Sequence, residues 1–506
     1  MNSAFIVLAI VLYFGLLYGI SRLTGRTSDD AAFFRGNRSS PWFVVAFGMI
    51  GASLSGVTFV SVPGWVGTSQ FSYLQMVLGY LLGYGVIARV LIPLYYRQNL
   101  TSIYGYLGTR FGQRSYQTGA GFFLLSRVVG ASFRLFLVSL VFRIVLERIG
   151  LRLPFFVPVA ISIALIYSYT RRGGIKTVVW TDTLQTACLL IAAILTVVSI
   201  MGKLDLNLND VWSAWRESAY SRIWVGDWSA ENHFLKHLIS GAVIALVMTG
   251  LDQDMMQKNL TCRSAAESQK NVYWFCVILV GANILFLGLG FLLYHYGEVQ
   301  AVLRLTPGAP QPIEILDPST GVWRARGSDE LYPVLAMDYL GPGVMLVFTL
   351  GLIAAAYSSA DSALTALTTS FCIDFLKFEE RSRDAVERER IRKRVQAGFA
   401  VLLFLTILLF EQINNQAVIS AIFKVAGFTY GPLLGLYAFG LMGSRRVADR
   451  WVPLVCLMAP ILTYLIDVFV PIWTGVRVGF LVLPINGALT YLGLWGISRP
   501  GNQGSV

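Results

Sequence analysis

Long apolar runs alternate with short polar segments from one end of the chain to the other. An α-helix needs about 20 mostly apolar residues to cross a membrane, and most of the runs reach that length. The pattern predicts an all-α polytopic membrane protein of about 13 transmembrane helices, the first of them retained rather than cleaved as a signal peptide. The predicted spans are residues 4–20, 41–66, 73–95, 118–146, 154–169, 177–201, 235–257, 270–297, 340–375, 395–410, 416–441, 451–470 and 476–496.

Composition and charge agree with a membrane location. The chain is 55% hydrophobic and 13% charged, whereas soluble domains are about 25% charged. The net charge of +12 would suggest nucleic-acid binding in a soluble protein, but cytoplasmic loops of membrane proteins collect Lys and Arg. With the N-terminus outside, the inside loops hold 25 basic residues, Lys258 among them, and the outside loops hold 8. This split predicts that the N-terminus lies outside and the C-terminus inside. It also accounts for the positive net charge without nucleic-acid binding.

Three of the polar segments have patterns of their own. Residues 202–234 hold four tryptophans among polar residues, which predicts an amphipathic lid on the outer surface. In residues 299–331, the stretch 313–326 alternates around a turn at Asp317-Pro318-Ser319-Thr320-Gly321. That pattern predicts a β-hairpin, with a disordered loop as the alternative. On the inside, the mixed Glu and Arg residues of 377–394 predict a solvated helical extension with ion pairs.

Span two contains glycines and hydroxyl residues at mid-membrane, in the run Gly51-Ala52-Ser53-Leu54-Ser55-Gly56-Val57-Thr58. Such residues weaken a helix, and an unwound segment would free backbone carbonyls to bind a cation. The alternative is close helix packing through small residues.

Span nine carries a carboxylate among hydroxyls. Ser358, Asp361, Ser362 and Thr365 follow one another at i, i+3, i+4 and i+7, so they share one helix face. Their oxygens are hard ligands that suit sodium. The alternative for the serines is a hydrogen bond to their own helix. Asp361 needs a partner or a proton, because a mid-helix carboxylate costs roughly 2.5–3.5 kcal/mol.

A further carboxylate, Asp182, lies in span six. The alternative to a functional role is an interfacial position in which it pairs with Arg171 and Arg172. The five cysteines include no CxxC pair and the three histidines have no metal-ligand spacing. We therefore expect neither disulfides nor a zinc or haem site.

These stretches, taken in order, resemble the solute:sodium symporter family, and in particular its sialic acid and sugar symporters. The resemblance covers residues of about 4–441. It rests on the motifs Phe33-Phe34-Arg35-Gly36-Asn37-Arg38 with Pro41-Trp42, Leu100-Thr101-Ser102 with Tyr104 and Tyr106, Gly173-Gly174 with Val179-Trp180-Thr181-Asp182, Asp252-Gln253-Asp254 with Gln257, and Tyr430-Gly431-Pro432.

The resemblance implies the leucine-transporter fold, in which two five-helix units form inverted repeats and bind ligands at mid-membrane. On this basis residues 1–40 form a peripheral helix and inside loop. Residues 41–201 form the first repeat, 202–234 an outside loop, 235–441 the second repeat with its outside loop 299–331, and 442–506 two peripheral helices with a short inside tail.

The resemblance also implies the ligands of the coupling ion, Na⁺. The sodium site common to the family corresponds here to Gly51 and Leu54 of span two, with Ala355, Ser358 and Ser359 of span nine. A second cation site, present in some members, corresponds to Asp182, Ser358, Asp361 and Ser362. Members usually have Ser or Thr where this chain has Asp361.

The substrate site implied by the resemblance combines hydroxyl, aromatic and cationic side chains. The arginine that binds the carboxylate in the family's sialic acid importers corresponds to Gly130, with an arginine nearby on either side. The predicted substrate-binding residues are Ser55, Thr58, Phe59, Tyr73, Arg127 and Arg134.

We therefore predict a sodium-coupled symporter that imports a small organic solute, a sugar or sialic-acid-like compound, by alternating access. The alternatives are a proton-coupled symporter, a symporter for proline, a monocarboxylate or an anion, and an ion channel, for which no repeated filter is visible. No enzyme motif competes. The predicted partners are the solute and the lipid bilayer, with no obligate protein partner. The predicted location is a bacterial inner membrane.

Overall fold

A computed structural model describes residues 3–24, 30–148, 150–306, 313–378, 384–413 and 418–500 of the 506-residue chain. The described residues are mostly helical. The helices are α1 (Ser3–Thr24), α2 (Asp30–Arg35), α3 (Trp42–Ser53), α4 (Gly56–Ser69), α5 (Tyr73–Val86), α6 (Ile92–Arg97), α7 (Gly105–Arg110), α8 (Gln113–Arg148), α9 (Phe156–Lys203), α10 (Leu208–Glu217), α11 (Phe234–Ala245), α12 (Gln253–Asn259), α13 (Ala265–Val299), α14 (Leu331–Asp338), α15 (Pro342–Ser370), α16 (Ala385–Ile413), α17 (Val418–Met442), α18 (Val452–Thr474) and α19 (Val482–Gly496).

Nine helices within these described ranges are long and apolar enough to cross a membrane. Two bent helix pairs and two shorter apolar helices, Leu8–Thr24 and Phe156–Arg171, add to them. Predicted spans five and six fall within α9, which is interrupted at Gly174 by a positive φ of 51°. The multi-span all-α class is confirmed, and the count of thirteen stays a prediction.

Two of the apolar segments are bent helix pairs, each broken at a short irregular stretch of backbone. The α3–α4 pair bends by 58° at Leu54 and Ser55, inside the glycine and hydroxyl run that predicted a break. The α11–α12 pair bends by 69° at Leu251 and Asp252, where the sequence analysis expected a continuous span. Irregular backbone within a membrane span requires burial within protein or a water-filled cavity. The two bends therefore mark the place where a polar site is built.

Helix α15 lies at the centre of the molecule and packs most extensively against α9. Every residue from Gly351 to Ser370 is buried. The hydroxyls and the carboxylate of this helix therefore face other helices and not lipid. By contrast, α18 exposes large apolar side chains along its length, Leu457 and Ile461 among them, as a peripheral lipid-facing helix does.

The outer segments contain the predicted hairpin and a short amphipathic helix. Strands β1 (Leu303–Leu305), β2 (Ile313–Leu316) and β3 (Trp323–Arg326) form an antiparallel sheet in that order, so β2 and β3 confirm the hairpin. Hydrogen bonds from Ser319 lower the pKa of Asp317 at its turn to about 2. Residues 307–312 of this loop lie outside the described residues. Helix α10 carries Trp212 and Trp215 within the predicted lid. The remaining strands, β4 (Arg446–Val447) and β5 (Ser498–Arg499), pair with each other.

The segment 377–394 was predicted to be a solvated helix, but one of its described charged residues is buried. Helix α16 begins at Ala385, and residues 379–383 lie outside the described residues. Arg392 is buried rather than solvated. Its Nη1 lies 2.7 Å from Asp30 Oδ1, and its guanidinium lies over the ring of Phe33. This arginine thus anchors α16 to α2.

Candidate functional site

The break between α3 and α4 lies against α15 and α9. A methyl group on Gly51 would come within 2.4 Å of Thr186 Oγ1 and 3.3 Å of Ser358 Oγ. The Gly51 N–H donates to Thr186 Oγ1 at 2.9 Å. Glycine at this position therefore lets α3 pack closely against α9 and α15, and a side chain here would force a shift.

The α15 hydroxyls at this contact have different partners. Ser358 donates to Asp182 Oδ1 at 2.6 Å, which leaves the lone pairs of its Oγ free to bind a cation. Ser359 donates to the Ala355 carbonyl at 3.4 Å, as the alternative reading of these serines expected. Carbonyl and hydroxyl oxygens are a donor set that suits Na⁺. The residues present therefore fit the predicted sodium site, where Gly51, Leu54, Ala355, Ser358 and Ser359 would hold the ion.

Asp182 has a partner that the sequence analysis missed. Lys258 Nζ lies 2.7 Å from Asp182 Oδ2, and both side chains are at most 1% exposed. The placement of Lys258 in an inside loop was therefore wrong, because the bend before α12 brings this residue into the protein. The alternative of an interfacial Asp182 is also wrong, since this carboxylate is fully buried.

Asp361 belongs to a different set of contacts. Its Oδ2 accepts a hydrogen bond from the Tyr169 hydroxyl at 2.8 Å, and its Oδ1 accepts one from the Ser362 N–H at 2.6 Å. The Thr181 hydroxyl lies 3.4 Å from Oδ2 but closer to the Val178 carbonyl, at 3.1 Å. The Ser362 hydroxyl donates instead to Asp254. Of the four residues of the predicted second cation site, Ser358 is thus bonded to Asp182 and the Ser362 N–H to Asp361, while the Ser362 hydroxyl is bonded to Asp254.

A cavity of about 100 Å³ lies next to the break and contains five of the six predicted substrate residues. The sixth, Phe59, does not line this cavity. Its ring packs against Phe286, Tyr332 and Phe348. The cavity lining includes Ser55, Thr58, Tyr73, Tyr80, Tyr84, Arg127, Arg134, Thr249, Met255 and Asn283.

The two arginines of the cavity differ in their partners. Arg127 forms an ion pair with Asp254 and lies 3.8 Å from Asp252. Arg134 is buried, its Nε has no hydrogen-bond partner, and no carboxylate in the described part of the chain lies within ion-pair distance of it. Arg134 therefore brings to the cavity a positive charge that has no ion-pair partner in the described part of the chain.

The start of α4 adds to this positive potential. Ser55, Val57 and Thr58 line the cavity, and no side chain caps the first turn of the helix. Uncapped N–H groups and the helix dipole attract anions at a helix N-terminus. The broken helix thus presents the carbonyl end of α3 to the predicted cation site and the amide end of α4 to the cavity.

Comparison with known sequences identifies the family. The model of the Sodium:solute symporter family matches residues 33–449. The chain belongs to this family. It is therefore a sodium-driven symporter of a small organic solute that works by alternating access, and it is not an enzyme.

Relatives and solved structures support the same assignment. The symporter is 24% identical over 452 residues to the sodium/sialic acid symporter NanT of Aliivibrio fischeri, which covers 87% of this chain and 84% of NanT. It is 23% identical over 429 residues to the sodium/sialic acid symporter SiaT of Proteus mirabilis, which covers 84% and 81%. A structure described as the substrate-bound outward-open state of a Na⁺-coupled sialic acid symporter has a TM-score of 0.80 at 18% identity and covers 98% of this chain and 99% of that one. The leucine-transporter fold is confirmed.

Sequence reasoning missed four polar residues that line the cavity of the symporter, Tyr80, Tyr84, Thr249 and Asn283. Tyr80 shares a hydrogen bond with Tyr73 at 3.1 Å, and Tyr84 shares one with Thr249 at 3.1 Å. Asn283 donates to the Leu279 carbonyl, while its Oδ1 is buried without a partner among the described residues. An amide inside the apolar span 270–297 was a usable signal, because unpaired polar groups are costly in lipid.

Proposed function

We propose that the symporter imports a carboxylate-bearing solute of the sialic acid type, and that Arg134 binds the carboxylate. The observation that carries the proposal is the contrast between Arg127, which has Asp254 as counter-ion, and Arg134, which has none among the described residues. An unpaired buried charge costs several kcal/mol. A substrate carboxylate would remove that cost while it binds.

The cavity chemistry supports an anion in two further ways. The uncapped N-terminus of α4 favours negative charge at the same wall. The hydroxyls of Ser55, Thr58 and Tyr73 offer hydrogen bonds to a polyhydroxylated body. NanT and SiaT, the relatives reported above, are named for sialic acid. A smaller monocarboxylate is the second candidate, and the volume of about 100 Å³ favours it.

Uptake into proteoliposomes tests the proposal. We expect sodium-dependent uptake of radiolabelled N-acetylneuraminic acid, or of lactate if the second candidate holds, and none of an uncharged hexose. Arg134→Ala should lower the affinity by at least tenfold, because one charge-assisted contact contributes about 1.5–3 kcal/mol. Arg143→Ala, on the same helix but half-exposed beside Glu147, is the matched control. Hexose uptake unaffected by Arg134→Ala would contradict a carboxylate substrate.

We further propose a bacterial inner membrane as the location, with the N-terminus outside and the C-terminus inside. Both long segments predicted outside adjoin one end of α4. Phe71 N donates to the Arg222 carbonyl at 3.1 Å, and Gly64 lies against Ser328. In a cysteine-free background, a cysteine at position 320 should react with an impermeant thiol reagent from outside. One at position 385 should react only after permeabilisation, and external labelling at 385 would overturn this orientation.

A further inference from the structure

Helix α12 carries two opposite charges one turn apart, and each reaches a different part of the site. Asp254 pairs with Arg127 of the cavity wall. Lys258 Nζ lies 2.7 Å from Asp182 Oδ2 and 4.0 Å from Asp254 Oδ1. None of these four side chains is more than 6% exposed. With Asp252, which lies 3.8 Å from Arg127, three acids and two bases form one buried group of charges.

We propose that the ammonium of Lys258 takes the place of a second sodium ion beside Asp182, so that the symporter binds one sodium ion per cycle. This inference rests on the proposed sodium site at Gly51 and Ser358. The tethered cation neutralises Asp182 permanently and is not transported. The ammonium group of Lys258 is then the second cation at the site that the family resemblance predicts.

The charge balance supports this assignment. Asp182 is paired with Lys258 and Asp254 with Arg127, so neither carboxylate offers an unpaired negative charge to a further cation. A sodium ion on Asp182 Oδ2 would have to displace Lys258 from its 2.7 Å contact, and the buried ammonium would keep only the longer 4.0 Å contact with Asp254 among the described residues. Breaking a buried ion pair in that way is strongly unfavourable.

The hydroxyls of the predicted second site are already engaged as donors. Ser358 donates to Asp182, and Ser362 donates to Asp254. Asp361, the remaining carboxylate, accepts hydrogen bonds from the Tyr169 hydroxyl and the Ser362 N–H. These donors stabilise the carboxylate. Both carboxylates of the predicted second site, Asp182 and Asp361, therefore have protein partners in place of a second sodium ion.

Counting bound ²²Na⁺ on the purified full-length protein tests the proposal without a substrate. Wild type should bind about one ion at saturation. Lys258→Ala, which leaves Asp182 uncompensated, should bind about two. Lys258→Arg keeps the positive charge and should bind about one. The double variant Asp182→Asn/Lys258→Met removes both charges and should also bind about one.

The number of sodium ions bound distinguishes a failure of this inference from a failure of the proposed function. Two ions on wild type would overturn the tethered cation and leave sodium coupling intact. No saturable binding on wild type would overturn the proposed sodium site, and the inference with it. A folded Lys258→Ala protein that still binds one ion would also contradict the inference. If that variant does not fold, the wild-type count and the double variant decide the question.

Discussion

The two broken helices differ in the charge of the residues at their bends. The α3–α4 break consists of neutral residues, with Gly51 at its edge and Leu54 and Ser55 at its centre. The α11–α12 break is charged. Asp252 accepts hydrogen bonds from the N–H groups of Asp254 and Met255 and from the Tyr430 hydroxyl. The first break therefore leaves backbone groups for ligands, whereas the second satisfies its own.

We infer from this difference that the neutral break serves to bind ligands and that the charged break serves to anchor a half-helix. Free carbonyl and amide ends are suited to an ion and a solute that must leave again in each cycle. The paired charges of α12 hold that half-helix against α8 through Arg127 and against α9 through Asp182. We therefore expect changes at the charged break to affect folding first, and changes at the neutral break to affect binding first.

The largest expected effect is on stability, at Asp252. Asp252→Ala removes the cap of α12 and leaves the Tyr430 hydroxyl and two N–H groups unpaired in a buried place. Loss of one partner of a buried charged network costs about 3–5 kcal/mol. Thermal unfolding in detergent should show a large decrease in midpoint. Asp252→Asn, which keeps a capping oxygen, should lose less, and equal unfolding midpoints for Asp252→Ala and wild type would contradict the anchoring role.

The next effect is on binding, at Gly51. A Cβ at this position would overlap Thr186 Oγ1 at 2.4 Å, so Gly51→Ala must push α3 away from α9 and α15. Overpacking costs typically 1–3 kcal/mol, and here the shift would separate the predicted sodium ligands. The sodium concentration for half-maximal uptake should rise about tenfold. Gly130→Ala, with no atom within 4 Å of its added Cβ, is the matched control and should behave as wild type.

The same contrast explains what the sequence could and could not predict. The neutral break was predictable, because glycines and hydroxyls in an apolar run are a local signal at residues 51–58. The hairpin of β2 and β3 was predictable from alternation around a turn. The membrane class followed from the length of the apolar runs.

The charged break was not predictable in this way. Polar residues at the end of a span look like an inside loop, which is where positive-inside counting placed Lys258. Its ion pair with Asp182 joins residues 76 positions apart in the chain, and only the 69° bend brings them together. The unequal partners of Arg127 and Arg134 depend on the tertiary structure in the same way. Pairing between distant residues thus sets the limit of the sequence analysis.

The central claim is that sodium binds between the neutral break and α15. Equilibrium binding of ²²Na⁺ to the purified Ser358→Ala/Ser359→Ala protein tests it most directly, with Ser370→Ala, a serine of the same helix that donates to Asp374, as the control. The account predicts that the double variant loses at least tenfold in sodium affinity, about 1.4 kcal/mol or more, while the control binds as wild type does. Unchanged sodium affinity in the folded double variant would contradict the account.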